Sequence, residues 1–119
     1  MNSVLIHEQD RGLRKALTIV LIDYFVETRI AQDVDQFLQL LKKYSPQLII
    51  LDYEDKALTR ETIHVISKMN SECKIIITYF EMDETEHNEL LKVGVNCFLE
   101  KPYNLDLLTK FLDKLKGGQ

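Results

Sequence analysis

No stretch of this sequence is long and apolar enough to span a bilayer. Its first residues show no charged region followed by an apolar run and a cleavage site. A cytoplasmic domain with no membrane partner is expected. Cysteine is scarce: Cys73 and Cys97 are the only two, and neither has a second cysteine or a histidine at zinc spacing. Both lie in apolar surroundings, which suits reduced core thiols, although the spacing leaves a bridge open. No basic block or arginine-rich tract accompanies the net charge of −4, so direct nucleic-acid binding is not expected. There is no internal repeat, low-complexity tract or internal linker. No loop rich in Ser, Thr and Gly follows the first apolar run, which argues against a flavin phosphate site. The length suits one compact domain, 1–116, with 117–119 a tail or the start of a linker.

What the sequence does have is a short apolar core segment, Pro46-Gln47-Leu48-Ile49-Ile50-Leu51-Asp52-Tyr53-Glu54. Four apolar residues in a row fit a strand buried on both faces. The run is too short for a buried helix, and Pro46 restricts one there. It ends on the carboxylate of Asp52. At the carboxyl end of a central strand such a group faces the crevice where ligands bind; the plainer reading is that Asp52 starts a turn.

The rest of the chain surrounds this segment with alternating patterns. Val4-Leu5-Ile6 reads as a first strand ending near His7. Leu13, Ala16, Leu17, Val20, Leu21 and Tyr24 follow at helical spacing, which predicts a helix over 11–25. A second strand is expected over 28–32. Asp33 with Gln36 forms a capping-box pattern before Phe37, Leu38 and Leu41. Ile63, Ile66 and Met69 predict a third helix over 59–69. Lys74 to Tyr79 reads as a fourth strand. Asp83 with Glu86 opens a fourth helix that ends at Gly94. Val95 to Leu99 is a fifth strand, and Asn104 caps a last helix closed by Gly117-Gly118. Strand and helix alternate five times, which predicts an α/β, flavodoxin-like, doubly wound parallel sheet of order 2-1-3-4-5.

That topology brings Glu8-Gln9, Asp52, Thr78 and Lys101 to successive strand ends. A carboxylate can attack phosphorus and carry the phosphoryl group as an acyl phosphate. The transfer needs charge neutralisation, usually from a divalent cation held by oxygen ligands together with a fixed cation. Lys101 can supply the fixed cation, and the Thr78 hydroxyl can donate to a phosphoryl oxygen.

At these residues the chain resembles the receiver domain of bacterial response regulators, the group of the chemotaxis receiver. The matching pieces are Val4-Leu5-Ile6-His7-Glu8-Gln9, Pro46 to Asp52, Ile75-Ile76-Ile77-Thr78, and Gly94-Val95-Asn96-Cys97-Phe98-Leu99-Glu100-Lys101-Pro102-Tyr103. The resemblance implies two-component phosphorelay signalling. Asp52 would be the phosphoacceptor, Lys101 its cationic partner, Thr78 the hydroxyl that moves to the phosphoryl group and Phe98 the aromatic switch. It implies a cis Lys101–Pro102 bond and Mg²⁺ held by Glu8, Gln9, Asp52 and Glu54, the last through its backbone carbonyl or side chain. The implied partners are a sensor histidine kinase or phosphotransfer protein, and an effector on the face of helix 4, strand 5 and helix 5. Part of the last helix's apolar stripe can also serve a homodimer.

The sequence departs from the family pattern at several positions. The acidic pair maps to Glu8 and Gln9 if the apolar run and Arg14 set the register; a shift of one residue gives His7 and Glu8. Gln9 removes one negative charge, so metal binding should weaken. Residues 54–59 lack the family's usual proline and glycine, and Tyr79 replaces a small residue. The alternative function is therefore a degenerate receiver that serves as a phosphorylation-independent interaction module. A small hydrolase using Asp52 as nucleophile is a third reading; it lacks a second aspartate two residues on and room for a cap domain. His7 is expected at a core edge, and His64 and His87 on solvated helix faces.

Overall fold

The structure is a computed structural model that describes residues 1–118; Gln119, the end of the expected tail, lies outside the described residues. Five strands are β1 Ser3–His7, β2 Glu27–Ile30, β3 Leu48–Asp52, β4 Lys74–Tyr79 and β5 Cys97–Glu100. The intervening helices are α1 Arg11–Leu21, α2 Val34–Lys43, α3 Arg60–Met69, α4 Glu84–Lys92 and α5 Leu105–Lys116. All pairings are parallel, and the strand order is β2-β1-β3-β4-β5. This is the expected flavodoxin-like sheet.

The uninterrupted apolar run of β3 divides itself between two cores, because successive side chains leave a strand on opposite faces. Ile49 and Leu51 join Phe37, Leu41, Ile63, Ile66 and Leu90, under α2, α3 and α4. Leu48 and Ile50 join Leu17, Leu21, Leu108 and Leu112, under α1 and α5. With a core on each side, β3 cannot slip by one residue without merely exchanging faces, so its carboxyl end is fixed by its neighbours. The register Val4↔Leu48 through His7↔Leu51 puts Glu8 level with Asp52, and Asp52 is paired directly with Thr78.

Three boundaries differ from expectation for identifiable reasons, while the end of α4 falls as expected. α1 ends at Leu21 rather than near Phe25: Tyr24 and Phe25 both donate to the Leu21 carbonyl in a turn. That turn folds Phe25 into the core and frees Glu27 to begin β2 opposite Ser3. β5 starts at Cys97 instead of Val95, because Val95 N–H bonds back to Leu90 and Asn96 spends its side chain on Ile75 N–H at 2.8 Å. β2 spans Glu27–Ile30 rather than 28–32, and Ala31 N–H still reaches the Ile6 carbonyl. α4 stops at Lys92, with Gly94 at φ +114° just beyond it.

The two capping boxes form only by half. Asp33 accepts from Gln36 N–H at 2.7 Å, but the Gln36 carboxamide accepts from Gln32 N–H rather than from the cap residue. Asp83 accepts from Glu86 N–H at 2.8 Å, while the Glu86 carboxylate takes the Tyr53 hydroxyl and the Arg60 guanidinium. Cys73 and Cys97 are free and half-buried, and burial pushes the Cys73 thiol up to about 12. Among the described residues no helix is long and apolar enough to cross a membrane.

Candidate functional site

The carboxyl ends of β1, β3, β4 and β5 converge on one buried polar cluster. Glu8, Asp52, Thr78 and Lys101 are each at most 4 % exposed. Burial of two carboxylates and an ammonium is costly unless each is paired and hydrogen-bonded, and here they are. Lys101 Nζ lies 2.8 Å from Asp52 Oδ1 and 3.0 Å from Glu8 Oε2. Asp52 Oδ1 also accepts from Glu54 N–H at 3.0 Å. Asp52 Oδ2 accepts twice from Gln9, from its backbone N–H at 3.1 Å and its side-chain Nε2 at 3.3 Å. Glu8 accepts from Asp10 N–H at 3.0 Å, from the Thr78 hydroxyl at 3.3 Å and from the Tyr103 hydroxyl. The Lys101–Pro102 peptide is cis.

The electrostatics follow from these contacts. Burial pushes the Asp52 carboxyl up, but the bonds from Lys101 and from the Gln9 and Glu54 N–H groups outweigh it and hold it at about 2. Burial also works against the Lys101 ammonium, and its bonds to Asp52 and Glu8 more than reverse this, so its pKa is raised. Burial and the Glu8 contact both raise the Tyr103 phenol, which therefore stays protonated and donates. Asp52 is thus an ionised, oriented carboxylate with a cation against it.

Each residue singled out in the sequence has a definite place. Glu8 and Gln9 are the pair that meets Asp52, whereas His7 Nε2 contacts Asp55 Oδ2 at 2.8 Å and its Nδ1 is buried without a partner. Thr78 lies beside Glu8 and the Leu51 carbonyl. Phe98 is half-buried, edge-on to Tyr79 with centroids 6.5 Å apart. Tyr79 therefore packs on Phe98, and it is Phe80 whose ring faces Lys101 Nζ, at 5.2 Å. His64 is exposed, but His87 is not on a solvated face: its ring covers Phe98 at 4.0 Å.

Mg²⁺ takes about six oxygen ligands in near-octahedral geometry. The donor set here does not fit it. Glu8 and Asp52 already accept from Lys101, two hydroxyls and backbone N–H groups, and Gln9 turns an N–H, not an oxygen, toward Asp52. One oxygen of the Glu54 carboxylate, Oε2, accepts from Phe80 N–H at 3.0 Å. Among the described residues no three His, Cys, Asp or Glu side chains group to hold a metal ion.

Three contacts were not legible beforehand. Tyr103 was visible only as the aromatic after Lys101-Pro102, with no sign that its hydroxyl would reach Glu8. Phe80 and His87 carry no motif at all; their signal is only that Phe80 follows β4 and His87 lies on α4, beside Phe98.

Comparisons with known proteins agree with this fold. The family model described as the response regulator receiver domain matches residues 4–113. No curated protein gave a match. Among solved structures, the signal receiver domain of a DNA-binding response regulator from Colwellia psychrerythraea is similar with a TM-score of 0.87 at 22 % identity, covering 97 % of this chain and 98 % of that one. Vibrio cholerae chemotaxis protein CheY4 is similar with a TM-score of 0.82 at 24 % identity, covering 96 % and 98 %. NtrX from Brucella abortus gives 0.80 at 23 % identity, covering 96 % of this chain and 26 % of that one.

Proposed function

Because this chain belongs to the response regulator receiver domain family, we propose that it is a cytoplasmic, non-enzymatic signalling module that accepts a phosphoryl group on Asp52. The observation that carries this reading is the Asp52 carboxylate, ionised and 2.8 Å from the Lys101 ammonium at the carboxyl end of β3. The donor is the phosphohistidine of a sensor kinase or phosphotransfer protein. An Asp52 oxygen attacks phosphorus, the new O–P bond forms as the N–P bond breaks, and the histidine ring leaves with the bonding pair and takes up a proton. Lys101 and the N–H groups of Gln9 and Glu54 are the donors nearest the charge that develops.

The output follows from the packing beside the site. Thr78 leaves Glu8 for the phosphoryl oxygen, and Phe98 turns inward against the space it vacates. His87 covers the Phe98 ring from α4, so that movement must uncover or shift α4. α4 exposes Leu91, and the first turn of α5 exposes Leu105 and Leu107, apolar contacts open to an effector or a second copy.

A second reading, a phosphorylation-independent interaction module, is favoured by one observation: every oxygen of Glu8 and Asp52 already has a donor. Incubation with acetyl phosphate, followed by intact-protein mass, separates the two. We expect one phosphoryl adduct on the wild type and none on Asp52→Asn. A folded wild type with no adduct under any donor would leave the interaction module as the function.

A further inference from the structure

We infer that this receiver assembles its acidic pocket without a divalent cation, because the Gln9 carboxamide and the Tyr103 hydroxyl occupy the lone pairs that a hydrated cation would take. The inference rests on reading the pocket as the phosphoacceptor site, and it adds how that site is held together.

The argument is one of charge and of hydrogen-bond capacity. Two carboxylates, Glu8 and Asp52, face one ammonium, Lys101, so the buried set carries a net charge of about −1 with its remaining members neutral. A third carboxylate at position 9 would leave a deficit of two charges, which a divalent cation cancels; with Gln9 that demand is absent. Gln9 does more than omit a charge. Its Nε2 and backbone N–H both donate to the same oxygen of Asp52, at 3.3 and 3.1 Å. Tyr103 does the equivalent for Glu8, whose other oxygen takes Lys101 and Asp10 N–H. For Gln9 to serve as a metal ligand its carboxamide must turn to offer Oε1. That turn gives up a bond to Asp52 and sets an amide oxygen against a carboxylate until the cation arrives. The remaining side-chain candidate, the Glu54 carboxylate, is turned toward Phe80 N–H through its Oε2. A cation must therefore break existing bonds at both Glu8 and Asp52, and turn Gln9, before it can recruit them.

Gln9 is exposed, so its side chain can be changed without disturbing the core. Gln9→Glu keeps the length of the side chain and places an oxygen where Nε2 now stands, against Asp52. This variant should lose stability in EDTA and recover it in Mg²⁺, whereas the wild type unfolds at the same temperature in both. Mn²⁺ binding followed by electron paramagnetic resonance should show an affinity at least about tenfold higher for Gln9→Glu, or for the shorter Gln9→Asp, than for the wild type. No phosphodonor is present, so the outcome is independent of whether Asp52 is phosphorylated. Saturable, millimolar Mg²⁺ stabilisation of the wild type would overturn the inference. So would the absence of any cation response in both acidic variants, since position 9 would then not be what decides cation binding.

Discussion

Replacing Lys101 with methionine should destabilise the fold by about 3–5 kcal/mol at neutral pH, the cost of leaving a buried charge without its partner. Methionine keeps much of the unbranched stem, so packing is largely retained and the change isolates the ammonium. Its loss strands both Glu8 and Asp52, each 1 % exposed, with only neutral donors. Asp52→Asn should behave in the opposite way. It leaves Lys101 paired with Glu8 at 3.0 Å and removes the excess negative charge, so its stability should equal or exceed that of the wild type. The two changes should not add: the double variant buries one unpaired carboxylate instead of two and should recover part of the Lys101→Met loss. Urea unfolding of the four proteins measures this cycle. Equal stability of Lys101→Met and the wild type would show that the lysine does not hold the pocket.

The pH profiles should differ in sign. In the wild type the Asp52 carboxyl is held at about 2, below its unfolded value of about 3.9. Its contribution is complete above the unfolded value and is lost as pH falls through about 2. Lys101 is shifted up, so its contribution is complete below its unfolded value and is lost as pH rises through the folded one. In Lys101→Met the burial of Asp52 remains and its strongest opposing bond is gone. The carboxyl then moves up, and the variant should gain stability as pH falls from neutrality while the wild type does not.

The pocket also shows which kind of information a sequence carries. Asp52, Thr78 and Lys101 each stand at the end of a strand whose apolar run is visible, and parallel order alone brings such ends together. The choice between Glu8-Gln9 and His7-Glu8 was open for a physical reason. An apolar run marks where burial begins to fail, and His7 is itself buried, at 1 % exposed, through its contact with Asp55. The register with β3 places Glu8, not His7, level with Asp52. Side-chain closure of the site was out of reach. Tyr103 and Glu8 are 95 residues apart, and a contact of that range leaves no period or spacing behind. The same holds for His87 on Phe98, where helical periodicity assigned a solvent face that the aromatic stack overrides. The element boundaries failed where the backbone had competing partners, as at the end of α1 near Phe25 and the start of β5 near Val95, and succeeded at the caps Asp33, Asp83 and Asn104.

Gly94 is the boundary that the sequence placed well, and it supports the second large prediction. Substitution by alanine should cost about 2–5 kcal/mol, from two separable sources. The residue follows α4 with φ +114°, a conformation that side chains rarely adopt, at about 1–3 kcal/mol. A Cβ built there would also lie 2.8 Å from Ser67 Cβ and 3.1 Å from Ser67 Oγ on α3, an overlap that adds about 1–3 kcal/mol as the two helices part. Ser67→Gly in the alanine background removes the overlap and leaves the backbone strain, so it should restore only part of the loss. Denaturant unfolding of the single and double variants reads the two parts separately. Full rescue would mean that close approach of α3 and α4 alone requires the glycine; no rescue would assign the whole cost to φ. Either result bears on signalling, because the turn at Gly94 links α4, which carries His87 on the Phe98 ring, to β5, which leads directly into Lys101. A loosened turn should therefore weaken the His87–Phe98 stack as well as the fold, visible as faster amide exchange along α4 than global unfolding accounts for.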